Sequence, residues 1–111
     1  MSRDSENIND NPQNLLRLSS VSELETLCLS PGYVNAVKQL IESIHHPLRI
    51  ALTSQKTILL EFCKPNGDYI SFEIASDNRI IANKSTYHET FLDKQIEYND
   101  VPMEVDLFYC L

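Results

Sequence analysis

The chain has 111 residues, 42% of them apolar, with two glycines and a formal net charge of −7. That length and apolar share suit one hydrophobic core, and so few glycines exclude collagen-like or glycine-rich low-complexity chains. No apolar run approaches the roughly 18 residues of a membrane span, and no cluster of Lys and Arg exists to displace counterions from nucleic acid.

Residues 1–14, MSRDSENINDNPQN, carry one aliphatic side chain, Ile8, among polar and acidic ones. Such a stretch buries too little apolar area to offset its ordering entropy, so a disordered acidic tail is expected at 1–14, followed by a single α+β domain over 15–111. The start lacks the basic and apolar regions of a secretory signal, which points to the cytoplasm. Ser20-Val21-Ser22-Glu23 fits a capping box and predicts a short helix with Val21, Leu24, Leu27 and Cys28 on one face. Ser30-Pro31 predicts a second start, serine as cap and proline in the first turn. Val34, Val37, Leu40, Ile41 and Ile44 then recur at helical spacing, and His45-His46-Pro47 closes the helix.

From Leu48 the period changes to two. Leu48, Ile50 and Leu52, then Ile58, Leu60 and Phe62, then Ile70, Phe72 and Ile74 alternate with other residues, and a shorter strand runs from Arg79 to Asn83. A three-residue loop at Pro65-Asn66-Gly67, with Gly67 left-handed, sets Phe62 opposite Ile70, Leu60 opposite Phe72 and Ile58 opposite Ile74. A two-residue Asn-Gly loop would scatter these residues over both faces, so burial selects the longer loop. Loops at Ser54-Gln55-Lys56 and Ser76-Asp77-Asn78 extend the same register, placing Ile50 opposite Leu60 and Ile74 opposite Ile80. The fold expected is therefore α+β: one or two N-terminal helices packed on one face of a 4–5 stranded antiparallel meander. On the opposite face Arg49 meets Glu61 as an exposed ion pair, beside Ala51, Leu59, Cys63, Tyr69 and Ile81. That face is too apolar to serve water alone.

In the last segment, Thr86 to Leu92 reads either as a capped helix or as extended chain. Met103, Val105, Leu107 and Tyr109 alternate and predict a terminal edge strand.

The chemical groups form no familiar set. His45 and His46 are adjacent and chelate poorly from a helix. Cys28, Cys63 and Cys110 are an odd number at wide spacing and read as free thiols, two of them buried. Glu61 and Glu73 lack a sugar-binding cleft of aromatics, and a lone Asn-Gly turn is no phosphate loop. No catalytic residue, metal or cofactor is expected. Charge is placed unevenly: residues 1–30 carry two basic and five acidic groups, 31–83 five of each, and 84–111 two basic and six acidic.

Three stretches carry a resemblance. They are Ser30-Pro31 to Ile44; Ile58-Leu59-Leu60-Glu61-Phe62 with Gly67-Asp68-Tyr69-Ile70-Ser71-Phe72-Glu73-Ile74; and Arg79-Ile80-Ile81. In their order they resemble small bacterial antitoxins and immunity proteins, over roughly residues 22–84; the C-terminal segment departs from that pattern. The resemblance implies a non-enzymatic inhibitor that binds a toxin encoded nearby. The expected partner is a protein with a basic surface, not nucleic acid or membrane, with a homodimer as an open alternative. The expected contact residues are Leu59, Glu61, Tyr69, Glu73 and Ile81 on the sheet, with Glu89, Asp93, Glu97, Asp100, Glu104 and Asp106. A secretion chaperone that clamps an unfolded segment, or a phage anti-defence inhibitor, are the competing readings.

Overall fold

A computed structural model describes residues 15–110. The tail expected at 1–14 lies outside them. Strand β1 (Leu16–Leu18) leads into a short 3₁₀ turn (Val21–Thr26) and helix α1 (Pro31–Glu42). Strands β2 (Arg49–Leu52), β3 (Ile58–Cys63), β4 (Tyr69–Ile74), β5 (Ile80–Ser85) and β6 (Thr90–Ile96) follow, then helix α2 (Asp100–Cys110). The six strands form one antiparallel sheet in chain order. This is an α+β fold with six strands, where the sequence suggested 4–5.

The expected register is present. Ile50 faces Leu60, Leu60 faces Phe72, Phe62 faces Ile70, and Ile74 faces Ile80. Three hairpin loops of one design produce it. Lys56, Gly67 and Asn78 each close a loop with left-handed backbone (φ 67°, 96° and 68°). In each, a backbone amide bonds across the loop base: Thr53 to Thr57, Lys64 to Asp68, and Ala75 to Arg79, all at 2.9 Å. The β5–β6 hairpin is tighter, closed by Thr86 N–H to Glu89 O at 2.9 Å. Beyond it β6 bulges. Asp93 takes φ 55°, and its N–H donates to Asn83 Oδ1 at 2.9 Å. An edge strand kinked in this way is a poor template for further pairing.

The alternating residues Ile50, Ile58, Leu60, Phe62, Ile70, Phe72, Ile74, Ile80 and Ala82 belong to one buried cluster. Tyr33, Val34, Val37, Leu40 and Ile41 of α1 join it, as do Val101, Val105 and Phe108 of α2. Tyr33 ties α1 to the sheet, its hydroxyl donating to Ile74 O and accepting the Ile58 N–H.

Three local expectations need correction, and one open choice closes. The segment from Met103 to Tyr109 is helix, not strand. Its alternation coincides with a second pattern, Val101, Val105 and Phe108, whose 4- and 3-residue steps put all three in the core. Acidic Asp100 and Pro102 in the first turn suit that helix. Thr86–Glu89 form the β5–β6 turn and Thr90–Ile96 are strand, so the choice left open around Thr86–Leu92 falls to a turn running into extended chain. The capping box at Ser20 closes only a 3₁₀ turn. Glu23 accepts the N–H of Ser19 at 2.9 Å, one residue earlier than the motif requires, and the Ser20 hydroxyl turns to Ser22. Finally, all three cysteines are exposed. Cys28 follows the 3₁₀ turn in left-handed backbone, Cys63 points away from the cluster at the end of β3, and Cys110 lies on the outer side of α2.

Candidate functional site

The sheet residues singled out by their register come together. Leu59 pairs with Glu73, Glu73 with Ile81, and Cys63 with Tyr69, so their side chains share the face opposite the buried cluster. Leu59, Tyr69, Glu73 and Ile81 are half-buried, and Glu61 is only 6% exposed.

A hydrogen-bonded network organises one end of this open face. Arg17 of β1 donates to Glu61 Oε1, and the Tyr69 hydroxyl donates to Glu61 Oε2 at 3.0 Å. Arg17 stands opposite Ala51 in the register. Ala51 is small and fully buried, which leaves room for the arginine to cross β2 and reach β3. The ion pair of Glu61 is thus with Arg17. Arg49, its register partner, donates instead to Cys63 Sγ at 3.3 Å. Burial pushes the Tyr69 hydroxyl up to about 12; a bond with Ser71 opposes the rise and the charge of Glu61 adds to it. The sulfur of Cys63, then the carboxylate of Glu61, hold Arg49 more firmly protonated than usual. Pro47, Leu48, Arg49, Glu61 and Cys63 line a cleft of about 190 Å³ here. At the other end of the face, Thr57 donates to Glu73 Oε2 at 2.7 Å. Arg79, Ile81 and Gln95 share a hollow of about 230 Å³ with them.

The acidic residues singled out in the C-terminal segment do not form one surface. Glu89 and Glu104 both turn to Lys84, at 3.0 and 3.9 Å from its Nζ. Lys84 follows Ile80 and Ala82 on the cluster side of β5, and its side chain is 2% exposed. The ammonium of Lys84 holds Glu89 below the usual carboxylate range. Asp100 accepts the Glu97 N–H at 3.1 Å at the start of α2. Asp106 lies 3.4 Å from His46 Nε2, and His46 stacks on Tyr109 with ring centres 4.2 Å apart. Asp93, Glu97 and Asp106 are exposed.

Sequence reasoning missed Arg17. Its only signal was the alternation Leu16-Arg17-Leu18, which is too short to stand out. A larger cleft, about 420 Å³, is lined by Gln39 and Leu40 of α1, Pro102 of α2, and the loop residues Asn78 and Tyr98, among others. Among the described residues no group of three or more His, Cys, Asp and Glu side chains is placed to hold a metal. No helix among them is long and apolar enough to cross a membrane.

Taken together, these features define an α+β protein whose antiparallel sheet presents a pinned, partly apolar face. Comparison with protein-family models, curated proteins and solved structures found no match.

Proposed function

We propose that this chain is a non-enzymatic protein-binding module of the toxin-neutralising kind, working in the cytoplasm. Its helices cover one side of the sheet, and the partner protein docks on the other. The observation that carries this reading is the gathering of Leu59, Glu61, Tyr69, Glu73 and Ile81 on one face, half-buried apolar side chains interleaved with polar groups already fixed by hydrogen bonds. A surface ordered in advance loses little side-chain entropy on association, and Tyr and Arg are the residue types that dominate contact energetics. The net charge of −7 draws a basic partner from long range, with Asp93, Glu97 and Asp106 exposed to contribute.

The test is capture by the tagged full chain expressed in its native host, alongside Leu59→Asp and Ile81→Asp variants whose folding is checked by circular dichroism. The expected result is one protein recovered in stoichiometric amount by the parent chain and lost by both variants. That protein should arrest growth when expressed alone and be neutralised by co-expression. A partner that is harmless alone, or capture indifferent to both substitutions, overturns the reading.

A further inference from the structure

The charge of the open face differs from that of the whole molecule. From β1 to the residue just before β5 it bears Arg17, Arg49 and Arg79 against Glu61 and Glu73, in a chain whose net charge is −7. Both carboxylates are already engaged, Glu61 by Arg17 and Tyr69, Glu73 by Thr57. At the β2–β3 end two guanidinium groups meet one buried carboxylate, Arg17 bonded to Glu61 from β1 and Arg49 opposite it in the register, so Arg17, Arg49 and Glu61 together leave this corner of the face with one net positive charge. Arg49 is exposed there. Its hydrogen-bond partner is a thiol sulfur, a weak acceptor. A carboxylate offered in place of the sulfur gains a charge-assisted and bidentate bond. Pro47 and Leu48 line the same cleft, and Tyr69 stands next to Cys63 across the strand pair, so apolar surface surrounds the charge.

We propose that Arg49, supported by Arg17, is a carboxylate-binding spot, and that the partner protein docks there with an Asp or Glu side chain flanked by apolar residues. This rests on the binding-module reading and specifies its contact chemistry. The acidic field of the whole molecule acts at long range; the arginine end of the sheet makes the local contact.

Cys63 is a built-in reporter. Iodoacetate and iodoacetamide both alkylate a thiolate with loss of iodide, but only the first carries a carboxylate. The ratio of their rates cancels the intrinsic reactivity of each thiol. Mass spectrometry of the full chain reads that ratio at Cys63, with exposed Cys28 and Cys110 as internal references. The expected ratio is about fivefold higher at Cys63, the effect of one unit charge at about 4 Å in water, and falls to the reference value in Arg49→Gln. In a second arm, a random peptide library is panned against the immobilised chain. The expected peptides carry an acidic residue beside apolar ones, lose about tenfold in affinity for Arg49→Gln and are indifferent to Glu42→Gln, a substitution at the exposed end of α1. Equal ratios at the three cysteines overturn the proposal. Basic peptides sensitive to Glu97→Gln and indifferent to Arg49→Gln also overturn it, while leaving the binding-module reading intact. Equal ratios with no enriched peptide count against both. Self-association of the parent chain that Arg49→Gln abolishes would assign the spot to a second copy and overturn the partner assignment.

Discussion

Glu61 shows how one buried charge is made tolerable. A carboxylate 6% exposed on a sheet loses most of its hydration, and two donors from two other strands replace it. The arrangement depends on Ala51. A larger residue opposite Arg17 would lift the guanidinium away from Glu61. Removing the arginine leaves a buried charge with one hydrogen-bond donor, the Tyr69 hydroxyl, and the Arg49 guanidinium across the strand pair, whereas removing both charges leaves a neutral amide beside the tyrosine. Breaking one side of such a pair therefore costs more than replacing both. Arg17→Met is expected to cost about 2 kcal/mol, tempered by the partial exposure of Arg17, and Glu61→Gln about 1 kcal/mol. The double variant should cost less than the sum, with a coupling of about 1 kcal/mol. Urea denaturation of the four proteins measures all three values. Strict additivity would mean that the Arg17–Glu61 pairing itself contributes nothing to stability.

At the scale of elements, the β2–β5 meander repeats one hairpin three times, and the third loop residue sits eleven positions after its predecessor: Lys56, Gly67, Asn78. All three adopt the left-handed conformation, which glycine accepts without strain and lysine does not. A Cβ on Gly67 meets nothing within 4 Å, so Gly67→Ala tests the backbone alone. It is expected to lower stability by about 1 kcal/mol, and Lys56→Gly to raise it by about 0.5 kcal/mol, both read from shifts in the urea midpoint. This repetition is what makes the sheet legible in the amino-acid order. Each loop length sends the same alternating apolar set to one face, so three independent turns agree on one register. Leu59, Glu61, Tyr69, Glu73 and Ile81 follow from that register alone. β1 was not legible because three residues show no period, and Arg17 was lost with it. α2 was misread because Val105 belongs to two patterns at once, the alternation with Met103 and Leu107 and the helical step between Val101 and Phe108. The turn of Glu104 toward Lys84 could not be foreseen without that helix.

At the scale of the whole molecule, the fold sorts its titrating groups into those whose contribution is lost in acid and those through which stability is lost in base. Glu25 and Glu89 sit below the ordinary 4.5, each bound to a lysine, Lys38 and Lys84. Their contribution is present above that value and is lost as pH falls through the lower folded values, because the unfolded chain takes up the protons first. Tyr33 and Tyr69 behave in the opposite sense. Burial pushes both from 10.0 up to about 12. Below pH 10 folded and unfolded chains both keep these protons and the stability is whole. Between 10 and 12 the unfolded chain ionises while the native chain must stay neutral, so stability falls across that window. Absorbance at 295 nm should resolve Tyr33 and Tyr69 as the last two tyrosines to titrate in the folded chain, behind Tyr98 and Tyr109, which burial also raises, with all merging in urea. Tyr33→Phe should remove one late step and also cost about 1–2 kcal/mol at neutral pH, since the Ile58 N–H and Ile74 O lose their shared partner. Tyr69→Phe should remove the other late step, and in that variant Glu61 keeps Arg17. If all five tyrosines titrate together near pH 10 in the native protein, the burial assigned to Tyr33 and Tyr69 is wrong, and with it the anchoring of α1 to the sheet and the pinned order of the open face.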